Sequence, residues 1–221
     1  SASHRKLAGH VASVCGAHGF VADFRRAPEH PYPAQLDDVT AIFDALVDNG
    51  IDPARITFVG DSAGASLSVA TTLRLMSRGG PFPGQVVTIS PWLDMENSGS
   101  TIVTNDATDF LITREGLQGN IDRYLSSGAD PTDPLVNPLH ADLSGFPRLY
   151  ITASDSESLY ADATRLYDLA SSAGVDVTFD VAPGEQHVFP LQAGNHAPAD
   201  DAIAAIGTWY RVGAAAAASN R

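Results

Sequence analysis

The chain has 221 residues, 44% of them apolar, and a formal charge of −13. This size fits one domain with a sizeable hydrophobic core. An acidic surface repels duplex nucleic acid and anionic membranes, so neither is an expected partner. No apolar run is long enough to cross a bilayer. We therefore expect one globular domain over 1–221, cytoplasmic and without stable membrane insertion.

Helix and strand patterns alternate along the chain. Apolar residues at helical spacing predict helices at 3–17, around 36–46, and at 63–78, 114–126, 159–172 and 198–212. Short apolar runs predict strands at 20–24, 55–59, 85–90, 148–153 and 175–181. This alternation predicts an α/β fold with a mostly parallel sheet and helices on both faces. Functional residues should then follow the carboxyl ends of the strands.

One long segment, 92–146, interrupts this rhythm. It is rich in Asp, Pro, Gly and Ser. Such a long irregular stretch within a domain is usually functional, so we expect an excursion close to the active site. Its scattered aspartates are interpreted as turn formers. Because the sequence also lacks zinc-ligand spacing and a phosphate loop, no metal or cofactor is expected.

The most informative motif is Gly60-Asp61-Ser62-Ala63-Gly64, which directly follows the apolar strand Ile56–Val59. A strand, a sharp turn of small residues and a helix predict a nucleophile elbow that exposes the Ser62 hydroxyl. The helix N-terminus beside it favours negative charge on a bound substrate. A chance match to the five-residue pattern is the alternative. The strand before it and the helix after it favour the elbow.

A serine nucleophile needs a histidine base and a carboxylate that orients the histidine. In this type of fold they follow the serine in the order acid, then histidine. His187 lies just beyond the last predicted strand and is the predicted base, with an exposed loop histidine as the alternative. Asp155 follows the strand that ends at Ala153 and is the predicted acid, although it could also be an ordinary helix N-cap.

Three other residues compete for these roles. His196 stands nine residues beyond His187 and belongs to the approach to the last helix. Glu157 is close to Asp155 along the chain, and Asp162 falls inside the next predicted helix, where a solvated or capping carboxylate is the simpler interpretation.

Several motifs together resemble the hormone-sensitive-lipase-like branch of the α/β-hydrolases, a group of bacterial carboxylesterases. The resemblance runs from Ser3 to about Tyr210. Besides the elbow, it is carried by Asp23–Ala34 (DFRRAPEHPYPA), Ser90-Pro91-Trp92 with Asp94, Asp130-Pro131 through Pro138, and Gly184-x-x-His187-x-Phe189. It implies Ser62 as nucleophile, His187 as base, Asp155 as acid and the Ala63 N–H as an oxyanion-hole donor. Trp92 and Phe189 are candidates for lining the substrate pocket, with the apolar core as an equal alternative.

The resemblance also implies an H-G-G-G motif before the first helix, which would complete the oxyanion hole. That motif is absent from this sequence. In the family a strand also lies between those that correspond to 20–24 and 55–59. We therefore expect a preceding segment of the same protein, and slow catalysis by residues 1–221 alone, because one lost oxyanion donor lowers the rate by about 10²–10³.

The sequence thus predicts a serine hydrolase that cleaves carboxylic esters of short to medium acyl chains through an acyl-enzyme. An amidase or peptidase on the same fold is one alternative. A non-catalytic small-molecule binder is another, although the retained His187 counts against it. The alternating strand 175–181 suits the rim of a sheet, so a homodimer through that edge is a further expectation.

Overall fold

Within the described residues, four parallel strands form a sheet in the order β1-β2-β3-β4. The structure is a computed structural model that describes residues 2–219, with side chains for 4–215. The strands are β1 (Thr57–Asp61), β2 (Gln85–Ile89), β3 (Arg148–Ser154) and β4 (Val177–Ala182). Because all three pairings are parallel, the carboxyl ends of the four strands lie at the same edge of the sheet. The predicted α/β class and parallel sheet are confirmed.

Helices cover both faces of this sheet. The helices of the described residues are α1 (Ala2–Cys15), α2 (Ala34–Asp48), α3 (Ala63–Ser77), α4 (Thr101–Thr104), α5 (Arg114–Tyr124), α6 (Tyr160–Ser172) and α7 (Ala197–Ser219). Of these, α3 and α6 pack on one face of the sheet, and α1 and α7 pack on the other. Alternate strand residues face opposite sides, so Val86 packs in the cluster that contains residues of α3 and α6, whereas Val87 packs with α1 and α7. Both faces of the central strands are therefore apolar, as a parallel sheet between two helix layers requires.

The predicted strand at 20–24 is wrong. These residues form no regular secondary structure, and Phe20 is 67% exposed. A strand needs a hydrogen-bonded neighbour, and no strand within residues 2–219 pairs with this segment. The outer edge of β1 is likewise unpaired among the described strands, and Val59 on β1 is partly exposed. Apolar composition alone therefore did not make this segment a strand.

The segment 92–146 contains more regular structure than its composition suggests. Besides the predicted helix, α5, it holds the single turn α4 and a 3-10 turn at Pro138–His140. Asp162 anchors its start, because one carboxylate oxygen accepts hydrogen bonds from the backbone N–H groups of Leu93 (2.8 Å) and Asp94 (2.9 Å). Asp162 is buried. Asp162 belongs to α6, and its carboxylate therefore ties the start of segment 92–146 to that helix.

The buried carboxyl of Asp162 should make stability depend on pH. Burial raises its pKa to about 6, although the hydrogen bonds from Asp94 and Leu93 oppose that rise. Ionisation is thus harder in the folded state, so stability from this group falls as the pH rises from about 4 to about 6. Asp162→Asn keeps an oxygen acceptor without the charge. We expect the stability of the variant relative to wild type to rise by about 2–3 kcal/mol across that interval.

Urea unfolding of both proteins at pH 4, 5, 6 and 7 measures this difference. Titrating groups that do not act on Asp162 contribute equally to both proteins and cancel in the comparison, so only Asp94 and Arg165, which act on its charge, add to the difference. A stability difference that is the same at all four pH values would contradict the assignment.

Candidate active site

Ser62 lies in the turn between β1 and α3. Its φ of 53° and ψ of −120° are strained for a residue with a side chain. The Ser62 N–H donates to the Ile89 carbonyl (2.9 Å), and its carbonyl accepts from the Trp92 N–H (3.2 Å). A Cβ on Gly60 would lie 2.1 Å from the Gly64 carbonyl oxygen, so the turn needs glycine there. The strained turn places the hydroxyl at the N-terminus of α3.

His187 meets Ser62 from the loop that follows β4. Its Nε2 lies 3.0 Å from the Ser62 Oγ, although 125 positions separate the two residues along the chain. The imidazole is 9% exposed, and the next residue, Val188, has a left-handed φ of 53°. The carboxyl ends of β1 and β4 thus bring a serine hydroxyl and an imidazole within hydrogen-bond distance.

The carboxylate that faces His187 belongs to Glu157. Its Oε2 lies 3.4 Å from the His187 Nδ1, and the side chain is fully buried. Asp155 is exposed instead, and its carboxylate accepts from the Gly184 N–H (2.9 Å) and the Ser156 hydroxyl (3.0 Å). The geometry therefore corrects the choice of Asp155 as the orienting acid.

The extent of β3 explains this correction. The strand continues through Ser154, and the Asp155 N–H still donates to the Ala182 carbonyl of β4. Asp155 is thereby held at the rim of the sheet, with its carboxylate against the loop after β4. The chain turns inward only after this residue, and the turn carries Glu157 beneath the imidazole.

Burial is the largest influence on Glu157 and raises the pKa of its carboxyl. The nearby His187 imidazole and the Ser90 hydroxyl oppose that rise, whereas the nearby Asp109 carboxylate adds to it. At 3.4 Å the contact with His187 is long for a hydrogen bond, a common feature of sites without a bound ligand. A buried carboxylate in this place favours a positively charged imidazole above it.

The segment 92–146 is hydrogen-bonded to the loop that follows β3 and to the loop that carries His187. Asn105 donates from its side-chain amide to the carbonyls of Asp155 (2.8 Å) and Glu157 (3.0 Å). Gln186, next to His187, donates to the Thr108 carbonyl (2.8 Å) and accepts from the Phe110 N–H (2.9 Å). The acid loop and the histidine loop are thus joined through this segment.

Comparison with known proteins gives the family. A model of the family described as alpha/beta hydrolase fold matches residues 1–191. The chain belongs to this family. An acetyl-hydrolase from Streptomyces hygroscopicus is 40% identical over 187 residues, which are 85% of this chain and 62% of the relative. An esterase from Acinetobacter venetianus is 34% identical over 189 residues, or 86% of this chain and 62% of that protein.

Solved structures extend the agreement to three dimensions. The crystal structure of an esterase from the bacterial hormone-sensitive lipase family has a TM-score of 0.92 at 38% identity, covering 94% of this chain and 70% of that one. A hormone-sensitive lipase from a metagenome library gives 0.89 at 34% identity, covering 93% and 70%. The resemblance to the hormone-sensitive-lipase-like branch is confirmed. The chain spans about three fifths of the length of the two curated relatives named above.

Neither candidate for the pocket of this hydrolase-fold chain offers an open surface. Phe189 is 1% exposed and packs against Ala199 and Ala202 of α7, so it is a core residue. Trp92 is also buried, in a cluster that includes Leu117 of α5, although its backbone touches Ser62. An aromatic residue near the end of a strand can belong either to the core or to a pocket. The packing of these two residues places both in the core.

Sequence reasoning missed Ser90 as part of the site. The motif Ser90-Pro91-Trp92 contributes to the family resemblance, but no role of its own was predicted for Ser90. In the structure it is fully buried, has a φ of 46° and contacts the histidine loop. A small polar residue between a buried apolar strand and a proline is the signal that could have singled it out.

Within residues 2–219, no helix has the length and apolar character needed to span a membrane. In the same part of the chain, no group of three or more His, Cys, Asp or Glu side chains is arranged to hold a metal ion.

Proposed function

We propose that this chain carries the catalytic centre of a serine carboxylester hydrolase acting on short to medium acyl chains. The observation that carries the proposal is the distance of 3.0 Å between the Ser62 Oγ and the His187 Nε2, with the buried Glu157 on the far side of the imidazole. In this arrangement Glu157 replaces Asp155 as the acid. The relatives are an acetyl-hydrolase and an esterase, which supports an ester as the substrate.

The geometry supports a two-step acyl transfer. With the imidazole proton on Nδ1, toward Glu157, the Nε2 accepts the proton of the Ser62 hydroxyl as its oxygen attacks the ester carbonyl carbon. The tetrahedral intermediate collapses, the C–O bond to the alcohol breaks, and His187 returns the proton to the leaving alcohol. Water, deprotonated by His187, then attacks the acyl-enzyme, releases the carboxylic acid and restores Ser62.

The oxyanion of each intermediate needs hydrogen-bond donors. Ala65 and Ser66 both donate their backbone N–H groups to the Ser62 carbonyl at the start of α3. The Ala63 N–H comes earlier in the first turn, where helix N–H groups have no partner within the helix. We assign Ala63 as one donor, together with N–H groups of the expected glycine-rich segment.

Labelling with a fluorophosphonate tests the proposal. An activated serine attacks phosphorus and expels fluoride, leaving a stable phosphonyl ester whose mass and position are read by mass spectrometry. We expect one adduct, on Ser62, in the full-length gene product, and none in Ser62→Ala. Ser68→Ala is the matched control. Ser68 is a buried serine of α3, the helix that follows Ser62, and its hydroxyl bonds only the Gly64 carbonyl at 2.9 Å.

The outcomes separate the function classes. Absence of an adduct on Ser62 in the folded protein would contradict a hydrolase and favour a small-molecule binder. Labelling followed by equal turnover of matched ester and amide substrates would favour an amidase or peptidase.

Assembly and location extend the proposal. We propose a homodimer through the free edge of β4, which ends the sheet among the described strands and carries the partly exposed Val181. Analytical ultracentrifugation of the full-length protein tests it, with Val181→Lys as the variant that should dissociate the dimer. A cytoplasmic location stays a prediction from the sequence.

A further inference from the structure

Ser90 occupies a strained and buried position directly after β2. Its φ of 46° lies in the left-handed region, which is unfavourable for any residue with a Cβ, and its side chain has no exposed surface. Such strain persists only where the surrounding structure enforces it, and it is frequent at functional sites. The Ser90 N–H donates to the Thr152 carbonyl of β3 at 2.7 Å, so β3 fixes the backbone here.

The residues around Ser90 hold the nucleophile. On one side, the Ile89 carbonyl accepts the Ser62 N–H, and on the other, the Trp92 N–H donates to the Ser62 carbonyl. The segment 89–92 therefore hydrogen-bonds both the N–H and the carbonyl of Ser62. A side chain that projects from the middle of this segment is tied to the position of the nucleophile.

The Ser90 hydroxyl also contacts the histidine loop. It accepts a hydrogen bond of 3.0 Å from the backbone N–H of Val188, the residue after His187. Val188 is itself buried and left-handed, so this N–H is aimed by a second strained residue. A hydroxyl that accepts one bond keeps its own proton for a different acceptor.

The Glu157 carboxylate is buried near this hydroxyl, which lowers its pKa, and neither of its oxygens has a hydrogen-bond partner among the described residues. Asp109 is the other carboxylate that acts on Glu157, and it is already held by the backbone N–H groups of Leu111, Ile112 and Ser158. Its charge disfavours an ionised Glu157. A neutral donor at position 90 opposes that effect without adding another charge.

We propose that Ser90 is a positioning residue whose hydroxyl links the loop of His187 to the carboxylate of Glu157 and fixes both relative to Ser62. The inference rests on the proposed hydrolase function. Ser90 touches no substrate and acts through the acid and the base. This role explains why a polar residue is buried at the carboxyl ends of the strands. Apolar side chains are otherwise preferred at such a position.

The test replaces Ser90 by alanine and by glycine in the full-length gene product. Both variants lose the hydroxyl, and glycine also tolerates the left-handed φ, so it separates the hydroxyl from backbone strain. We expect kcat for a p-nitrophenyl ester to fall about 10- to 100-fold with little change in KM, because the base and acid lose their alignment. The acid limb of the kcat/KM profile should move to higher pH, since an ionised Glu157 has lost a donor.

Thr88→Val is the matched control. Thr88 is equally buried on the same strand, and its hydroxyl bonds only the Tyr150 carbonyl, at 3.3 Å. A merely structural role for Ser90 predicts lower thermal stability with an unmoved acid limb, as expected for this control. The pH dependence of fluorophosphonate labelling gives the same acid limb without ester turnover.

Labelling also keeps the two claims apart. Wild-type labelling on Ser62 with unchanged kcat and acid limb in Ser90→Gly would overturn the role of Ser90 and leave the hydrolase proposal standing. No labelling of the folded wild-type protein would overturn both.

Discussion

Replacing Ser62 by alanine should lower kcat/KM for a short p-nitrophenyl ester by about 10⁴–10⁶, and replacing His187 by alanine should cost a similar factor. The two side chains lie 3.0 Å apart and act as one unit, since the hydroxyl is a poor nucleophile without the base. The double variant should therefore be no slower than the slower single variant. Steady-state kinetics of the three proteins at saturating and limiting ester measure this.

Additive effects of the two substitutions on the rate would contradict the claim that Ser62 and His187 act together. If the double variant were slower than each single one by the product of the two factors, Ser62 and His187 would act in separate steps. Ser68→Ala serves again as the control and should keep wild-type kinetics, because its hydroxyl serves only α3. Circular dichroism of each variant establishes that the fold is retained.

The positions of Ser62 and His187 were predictable, the first from a local motif and the second from the order of the strands. A strand, a turn of small residues and a helix specify the elbow within about ten residues, and the strained φ of Ser62 follows from that turn. His187 was found from its place after the last strand. Parallel strands in chain order bring such loops to one edge, so the structure places Nε2 beside the hydroxyl without any local signal.

The acid was not predictable to the same precision. Asp155 and Glu157 both follow β3, and the choice depends on whether the strand ends at Ala153 or Ser154. Propensity does not resolve one residue at an element boundary. The hydrogen bond from the Asp155 N–H to the Ala182 carbonyl, a contact between distant parts of the chain, decides which carboxylate turns inward.

Tertiary pairing also determined the fate of 20–24. Its apolar residues favour a strand, but strand propensity mostly reflects packing against neighbours in a sheet. Without such a neighbour among the described strands, Phe20 and Val21 are exposed. The apolar run at 85–89 is as short as the one at 20–24. It forms a strand because β1 and β3 pair with it on both sides.

The choice between the two acids gives a decisive experiment. Glu157→Gln removes the charge beneath the imidazole and keeps its shape, so the positive charge that His187 acquires during attack is no longer balanced. We expect kcat to fall by about 10³–10⁴, as loss of the acid does in other triads. Asp155→Asn should lower it less than about tenfold, because its carboxylate bonds only Gly184 and Ser156 at the rim.

The paired design makes the outcome independent of folding. Glu157→Gln leaves no unpaired charge in the core, and both variants keep the side-chain length of the residue that they replace. Kinetics at several pH values separate a lower plateau from a shifted acid limb, since only a change in the pKa of the base moves the limb. The reverse ranking, with Asp155→Asn the slower enzyme, would mean that the loop after β3 rearranges when substrate binds and that the exposed carboxylate then reaches His187.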